Sequence, residues 1–520
     1  MTVSPASPAR RPWVAALALA VLVATHAVGE ATPREGMRRE DPHPARWLDA
    51  SGLHASGFSE VRFAARDGNA LAAEVYRSRG FDPATGPIWF VMHGASRDAD
   101  GYVAAAAPVA QRYGALAIVI HFTKEDYPAN EDYTLGVRSR GWAGLTESWR
   151  KPDAYLYAEV EHVFEAVRHT LGGRQEGYYL FGHSAGAQFT HRLLTFLPDA
   201  RVLGAVAANA GWYTLPAGGD PRHRTMPYGL NGSPVEVEDL RGFFATPFVV
   251  LLGERDTATA QTDELVRGTP ETLAQGATRL ERGKHYFDVG QAQARALGAE
   301  FSWRLAVVPR AGHDAAEVIA SVGFFLFEPG REPCATSSAA EAPGVVITEV
   351  LADPPPGPSG DINADGRRDP SEDEFVEIVN SGPAPVCLAG WTLGDAERRE
   401  RHVFPLGRAL EPGGTLVVFG GGVPVGEFGG AIVQRASGGL SLSNAGDVLT
   451  LSDARDRVVC RLSWGDCSSS PCAKEHWPSG LGIAGALVRR PESGAPWGLH
   501  TEVGGSRTSP GASAAGWMAE

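Results

Sequence analysis

Ser184 lies at the centre of a G-x-S-x-G sequence that runs from Gly182 to Gly186. This spacing is typical of a nucleophile elbow, in which a strand turns sharply into a helix and leaves a serine hydroxyl exposed. The neighbouring residues favour that geometry, because an apolar run at 178–181 precedes the pattern and a helical run at 188–197 follows it. Glycine is expected on both sides of the serine, since larger side chains would collide with the strand and the helix. The sequence therefore predicts Ser184 as a nucleophile, with a chance Gly-Ser turn as the alternative.

Asp256 and His313 are the candidates for the acid and the base that a serine nucleophile needs. The histidine accepts the serine proton, and the acid orients the histidine. Asp256 follows the apolar run 248–252, and His313 follows the apolar run 305–308. Both therefore come just after the carboxyl end of a predicted parallel strand, where ligands bind in such sheets. Glu254 is the competing acid, and an ordinary surface histidine is the alternative for His313.

Backbone amides near Ser184 are the candidates for stabilising a developing oxyanion. One is the N–H of Ala185, the residue after the nucleophile, and the other is the N–H of Ala95, in the turn after the apolar run 88–92. An ordinary glycine turn is the alternative for the second. Trp212 and Tyr213 follow the strand after the elbow and are predicted to line the substrate site, with plain packing as the alternative.

The composition and the amino end restrict where such a site could act. Arg10 and Arg11 precede an apolar stretch at 13–24, which predicts an export signal over residues 1–29 and a secreted, periplasmic or surface-associated protein. An uncleaved anchor is the alternative. No second long apolar segment follows, so no membrane span is expected after signal removal. The formal net charge of −14 argues against a nucleic-acid partner, because phosphate binding requires a basic surface.

The order of apolar runs along the chain predicts two domains of different class. After an amino-terminal extension at 30–59, residues 60–327 alternate strands with helices, which predicts a doubly wound, mainly parallel α/β sheet of eight strands. A linker at 328–343 leads to short alternating runs at 344–509, which predict an all-β sandwich, and residues 510–520 form a tail.

The cysteines all lie at residue 334 or later. An exported protein can form disulfides, and the expected pairs are Cys467 with Cys472 and Cys387 with Cys460, which leaves Cys334 unpaired. The sequence alone does not fix this connectivity.

The motifs of residues 60–327 together resemble the α/β-hydrolase superfamily, and within it the poly(3-hydroxybutyrate) depolymerase-like esterases. The resemblance rests on four stretches, which are 93–95, 182–186, 253–256 and 312–313. It implies Ser184 as nucleophile, Asp256 as orienting acid and His313 as general base, acting on an ester or polyester through an acyl-enzyme. It implies no metal or organic cofactor for catalysis.

Residues 361–372 satisfy the calcium-loop pattern D-x-[DN]-x-[DN]-G-x5-E. Oxygen ligands are what Ca²⁺ prefers, and Gly366 would allow the sharp turn. The predicted ligands are Asp361, Asn363, Asp365, the carbonyl of Arg367, Asp369 through water, and bidentate Glu372. The flanking segments predict strands instead of the usual helices, so an acidic solvated turn is the alternative.

The carboxy-terminal region resembles the lamin tail domain, an immunoglobulin-like sandwich. The resemblance rests on the runs 346–350, 373–380, 388–391 and 443–447. It implies attachment or targeting, with a cell-envelope, protein or polymer ligand. Three functions therefore compete: an exported ester hydrolase with an attachment module, a non-catalytic binding protein on a hydrolase fold, and a serine peptidase of the same fold.

Overall fold

The computed structural model describes residues 44–136, 152–218, 225–465, 475–481, 485–490, 496–503 and 507–512. The predicted export signal lies outside these ranges, and so do Cys467 and Cys472. Within the described ranges, no helix has the length and hydropathy of a membrane span.

A nine-stranded sheet forms the centre of the amino-terminal domain. Its strands are β1 (Arg46–Asp49), β2 (Gly57–Ala64), β3 (Ala70–Arg77), β4 (Ile88–Met92), β5 (Leu116–Ile120), β6 (Tyr178–His183), β7 (Val202–Ala208), β8 (Phe248–Gly253) and β9 (Trp303–Val308). Their spatial order is β1-β2-β3-β5-β4-β6-β7-β8-β9. The pairs from β5 to β9 in that order are parallel, and the remaining pairs are antiparallel. The predicted mainly parallel α/β class is confirmed.

The first strand corrects the predicted count of eight and the predicted start of the domain at residue 60. β1 pairs with β2 inside the segment that was expected to be an extension. Trp47 anchors it, because its indole Nε1 donates to Thr170 Oγ1 at 2.9 Å and its ring packs edge-on against Phe63. With only four residues, this strand carries too little alternation to be recognised from its own sequence.

Helices cover both faces of the sheet. They are α1 (Ala99–Tyr113), α2 (Asn130–Thr134), α3 (Ala158–Leu171), α4 (Ala185–Phe196), α5 (Arg241–Ala245), α6 (Pro270–Gln275), α7 (Arg279–Leu297) and α8 (Ala315–Phe327). Alternate residues of β4 point to opposite faces, as strand geometry requires. Trp89 and Val91 join the core under α1 and α8, whereas Phe90 and Met92 join the core under α3, α4 and α7. Burial on both faces explains why the central strands are continuously apolar.

The carboxy-terminal domain is a sandwich of two sheets, as predicted. One sheet has the order β15-β14-β11-β10-β19-β20, and the other has the order β13-β12-β16-β17-β18. The strands are β10 (Val345–Leu351), β11 (Phe375–Asn380), β12 (Thr392–Gly394), β13 (His402–Val403), β14 (Thr415–Phe419), β15 (Ile432–Arg435), β16 (Gly446–Ser452), β17 (Val458–Gly465), β18 (Glu475–Trp477), β19 (Leu487–Val488) and β20 (Gly498–Leu499), and β20 leads into a short helix, α9 (His500–Val503). Fully buried Trp391 and Trp464 pack in the core between the sheets.

A disulfide joins the linker to this sandwich. Cys334 pairs with Cys387, with the Cα atoms 5.7 Å apart, whereas Cys460 is free and buried. The predicted pairing of Cys387 with Cys460 is therefore wrong. The linker lies directly beside Cys387, because the N–H of Ser337 donates to the Cys387 carbonyl at 3.0 Å, whereas Cys460 contacts the Arg489 guanidinium.

Candidate active site

Ser184 occupies a strained turn between β6 and α4. Its backbone has φ 57° and ψ −114°, a conformation that L-residues seldom adopt. The flanking glycines are required by close packing: a Cβ on Gly182 would lie 2.1 Å from the Gly186 carbonyl oxygen, and one on Gly186 would lie 2.0 Å from the carbonyl oxygen of Met92. The turn therefore has the form that the G-x-S-x-G pattern predicts.

The structure brings Ser184, His313 and Asp256 into one hydrogen-bonded chain. Nε2 of His313 lies 3.0 Å from Ser184 Oγ, and Nδ1 of His313 lies 2.8 Å from Asp256 Oδ2. Asp256 is buried, whereas the His313 side chain is 26% exposed and so can meet a substrate. Glu254, the competing acid, is exposed and accepts a hydrogen bond from the Arg310 N–H instead. The geometry selects Asp256 as the partner of His313.

Arg279 holds the second oxygen of Asp256, a contact that the sequence did not indicate. This buried guanidinium lies 3.2 Å from Asp256 Oδ1 and 3.3 Å from Asp263 Oδ2. Because Asp256 accepts from both sides, its carboxylate is fixed with one oxygen toward Arg279 and the other toward His313. Arg279 begins α7, and nothing in its own sequence neighbourhood signals this role.

The Asn209 side chain links the end of β8, which precedes Asp256, to the loop after β9 that carries His313. It follows β7 with φ 52°, a left-handed conformation that asparagine tolerates better than most residues. Its Nδ2 donates to the Gly312 carbonyl at 2.9 Å, and its Oδ1 accepts from the Gly253 N–H at 2.7 Å. Sequence reasoning missed Asn209, although an Asn-Ala-Gly turn directly after an apolar strand is a usable signal.

The turn after β4 lies against Ser184. A Cβ on Gly94 would lie 3.8 Å from the Ser184 Cβ, so the turn that continues into Ala95 borders the serine. Ala185 is the first residue of α4, and the amides of a helix's first turn have no partner within the helix. Both predicted oxyanion donors therefore lie on segments that contact or contain the elbow.

His183 is a second imidazole beside His313, with the ring centroids 4.8 Å apart. Burial, together with nearby His313 and Arg279, lowers the pKa of His183 well below its usual value. Its Nδ1 lies 2.9 Å from the hydroxyl of Tyr102. His183 is therefore neutral in the physiological range and adds no charge beside the base.

Two of the solved proteins that resemble the chain match it over about half of its length. A poly(aspartic acid) hydrolase from Sphingomonas sp. KT-1 is 32% identical, with a TM-score of 0.47, and the match covers 51% of this chain and 97% of that one. A poly(3-hydroxybutyrate) depolymerase from Bordetella parapertussis is also 32% identical, with a TM-score of 0.49, covering 55% of this chain and 94% of that one. Each match spans nearly the full length of the solved protein. The chain belongs to the α/β-hydrolase superfamily.

The second domain of this α/β hydrolase is a lamin tail domain, because residues 338–466 match the Lamin Tail Domain family. The match starts within the predicted linker, in keeping with the hydrogen bonds that hold Ser337 to the sandwich. No curated protein sequence matches the chain significantly.

Trp212 and Tyr213 lie in the core of the hydrolase domain. Tyr213 is fully buried and stacks on Tyr286 with the ring centroids 4.4 Å apart. Trp212 is 5% exposed, and the Arg192 guanidinium lies 4.2 Å from its ring centroid. The prediction that they line the substrate site is therefore corrected: Tyr213 has no surface to offer, and Trp212 almost none.

The predicted calcium ligands lie on one loop, but their oxygens bind the loop's own amides. The side chains of Asp361, Asn363, Asp365 and Asp369 each accept a backbone N–H between Asp365 and Glu372. Among the described residues, no three His, Cys, Asp or Glu side chains are grouped as metal ligands. Calcium binding therefore stays a prediction.

Two observations in the same loop are compatible with a cation. Asp361 Oδ1 is buried and accepts no hydrogen bond from any residue that the structure describes. Burial, with Asp369 and Asp365 nearby, raises the pKa of Glu372 above its usual value. Asp361, Asn363, Asp365, Asp369 and Glu372, with the carbonyl of Arg367, would hold the ion.

Calcium is therefore expected to stabilise the protein modestly. Adding 1 mM Ca²⁺ after chelation should raise the Tm of the full chain by about 3 °C, given an affinity near that of extracellular modules. Differential scanning fluorimetry measures the shift. Asp361→Ala should abolish it, whereas Asp353→Ala, outside the loop, should retain it. An equal shift in both variants would contradict the assignment.

Proposed function

We propose that this α/β hydrolase is an exported serine hydrolase that cleaves carboxylic esters through an acyl-enzyme on Ser184. The observation that carries the proposal is the continuous hydrogen-bonded chain from Ser184 Oγ through His313 to Asp256. The 32% identity to a depolymerase of poly(3-hydroxybutyrate), which is a polyester, supports an ester substrate.

The chemistry follows from the positions of these atoms. As Ser184 Oγ attacks the ester carbonyl carbon, its proton passes to His313 Nε2, and Asp256 stabilises the imidazolium that forms. The amides of Ala185 and Ala95 hold the developing oxyanion. His313 then donates the proton to the leaving alcohol, which leaves the acyl group on Ser184. Water, deprotonated by His313, releases the acid and restores the serine.

Amide cleavage is the second candidate function, because one equally similar solved protein is described as a poly(aspartic acid) hydrolase. Nucleophile, base and oxyanion donors serve both reactions. A non-catalytic binding role is the third, and it predicts no serine reactivity at all.

The other elements of the proposal concern location. The basic and apolar start of the chain directs export to the periplasm or the medium, and the lamin tail domain attaches the enzyme to the envelope, a protein or a polymer. Catalysis uses no metal or organic cofactor.

A substrate panel tests the choice between ester and amide. We expect p-nitrophenyl butyrate to be hydrolysed with a kcat/KM at least about 100-fold above that of butyryl p-nitroanilide, because p-nitrophenolate is a better leaving group than p-nitroaniline. Poly(3-hydroxybutyrate) film and poly(aspartic acid) extend the comparison to polymers. Faster anilide and poly(aspartic acid) hydrolysis would establish the amide alternative, and the absence of both activities, with no labelling by a fluorophosphonate, would establish the binding role.

A further inference from the structure

The loops that carry Asp256 and His313 are bound to each other. The N–H of Arg255 donates to the Ala311 carbonyl at 2.8 Å, and the N–H of Arg310 donates to the Glu254 carboxylate at 2.8 Å. Each loop also carries an arginine close to its key residue: Arg255 precedes Asp256, and Arg310 comes shortly before His313. A displacement of either arginine therefore moves the backbone on which the acid or the base stands.

Both arginines bind one carboxylate of the lamin tail domain, Glu400. Arg255 forms a bidentate pair with it, with both nitrogen–oxygen distances at 2.8 Å. Arg310 binds the same carboxylate at 2.7 Å. The Arg255 guanidinium, helped by Arg310, holds the pKa of Glu400 at about 2, so Glu400 is charged under any ordinary assay condition. Bidentate arginine–carboxylate pairs fix orientation as well as distance.

The rest of the Arg310 side chain also finds its partners on the tail domain. Its Nε donates to the Gly390 carbonyl at 3.1 Å, and one terminal nitrogen lies 2.6 Å from Asp456 Oδ1. The Arg310 side chain is only 9% exposed, so its charge depends on these partners for compensation. The backbone of Arg310 is in the left-handed region, at φ 62°, and such conformations persist only where the surroundings hold them.

The Glu400 ion pairs lie at the edge of a cavity that residues of both domains line. The cavity has a volume of about 940 Å³, and Arg310 and Glu400 are among its lining residues. The Gly390 backbone lies close to the ring of Pro309, since a Cβ on Gly390 would lie 2.7 Å from the Pro309 Cβ. The ion pairs at Glu400 therefore link the catalytic loops to the tail beside a gap.

We propose that Glu400 is a positioning residue, through which the lamin tail domain fixes the loops carrying Asp256 and His313 in reactive geometry. The inference rests on the proposed function and extends it: the tail domain is a structural part of the active site as well as an attachment module. It acts through Arg255 and Arg310 and touches no substrate.

Glu400→Gln in the full-length protein tests this proposal. The substitution keeps the shape, but it removes the negative charge and replaces one carboxylate oxygen with an N–H₂ group that cannot accept a hydrogen bond, so the bidentate pair with Arg255 is lost. We expect kcat for p-nitrophenyl butyrate, counted per fluorophosphonate-titrated site, to fall about tenfold, because small misplacements of catalytic groups have such effects. KM should stay within about twofold, since substrate contacts are untouched. Counting per titrated site removes any loss due to unfolded protein.

Hydrogen–deuterium exchange provides a second readout that needs no substrate. The amides of residues 253–257 and 310–314 should exchange faster in Glu400→Gln than in the wild type. If Ser184 of the wild type does not react with the fluorophosphonate, the proposed function is refuted. The exchange measurement would still decide whether Glu400 orders the two loops, because it needs no catalytic activity. An unchanged kcat per site, or unchanged exchange in both loops, overturns the inference.

Two further variants separate positioning from general loss of the interface. Arg408→Gln removes another ion pair of the tail domain, that with Glu328 directly after α8, and should leave kcat and loop exchange as in the wild type. Arg310→Gln combined with Glu400→Gln should be no slower than the slower single variant, because both act on one linkage. The proposal is contradicted if the losses in kcat multiply in the double variant. It is also contradicted if Arg408→Gln lowers kcat as much as Glu400→Gln does.

Discussion

Replacing Ser184 with alanine should reduce the kcat of ester hydrolysis by about 10⁶-fold. A loss of this size is seen when the serine of a hydrogen-bonded Ser-His-Asp set is removed. Without Oγ no acyl-enzyme forms, and His313 has no proton to accept from the protein. The hydrolysis that remains would come from water held near the oxyanion donors, Ala185 and Ala95. The measurement is the rate of p-nitrophenyl butyrate hydrolysis together with labelling by a fluorophosphonate probe.

The loss must come from chemistry and not from unfolding. Alanine fits the same turn, since the Ser184 Cβ is kept and only the hydroxyl is removed, so the Tm should change little. Ser302→Ala, on a serine that lies before β9, is the matched control and should retain full activity and labelling. Labelling that persists in Ser184→Ala would assign the nucleophile to another residue.

The three residues of the hydrogen-bonded chain could be predicted because each has a local signal. Ser184, Asp256 and His313 all come after apolar runs that become β6, β8 and β9. Parallel strands align their carboxyl ends at one edge, so order along the chain becomes proximity in space. The mainly parallel sheet was predictable for the same reason.

The residues that hold this chain in place could not be predicted, because their signals are long-range. Arg279 is an ordinary residue at the start of α7 until the fold brings it to Asp256, and Glu400 belongs to another domain. The disulfide of Cys334 depends on how the linker folds back along the sandwich. The sequence predicts that Tyr213 lines the substrate site because it follows β7 at the edge of the sheet where ligands bind. Packing against Tyr286 buries it instead, and this contact also has no signal in the local sequence.

Replacing Asp256 with asparagine should lower kcat by about 10⁴-fold. At this site the loss follows from the way Arg279 orients the asparagine amide. Arg279 donates to Oδ1 and has no acceptor, so an asparagine at 256 will turn its carbonyl oxygen toward Arg279. Its N–H₂ group then faces His313 Nδ1, which must become the acceptor. The imidazole proton moves to Nε2, and that nitrogen can no longer take the proton of Ser184. Steady-state kinetics with p-nitrophenyl butyrate measures the loss.

Combining Asp256→Asn with Arg279→Met tests whether Arg279 sets the tautomer. Methionine removes the donor and fills a similar buried space, so the asparagine can turn its oxygen to His313 Nδ1 and restore the productive tautomer. We expect the double variant to recover about tenfold in kcat over Asp256→Asn, although Arg279→Met alone should be slower than the wild type because Asp256 loses an anchor. Two losses that simply multiply would show that Arg279 acts independently of the residue at position 256 and does not set the tautomer, since additivity is the mark of independent action.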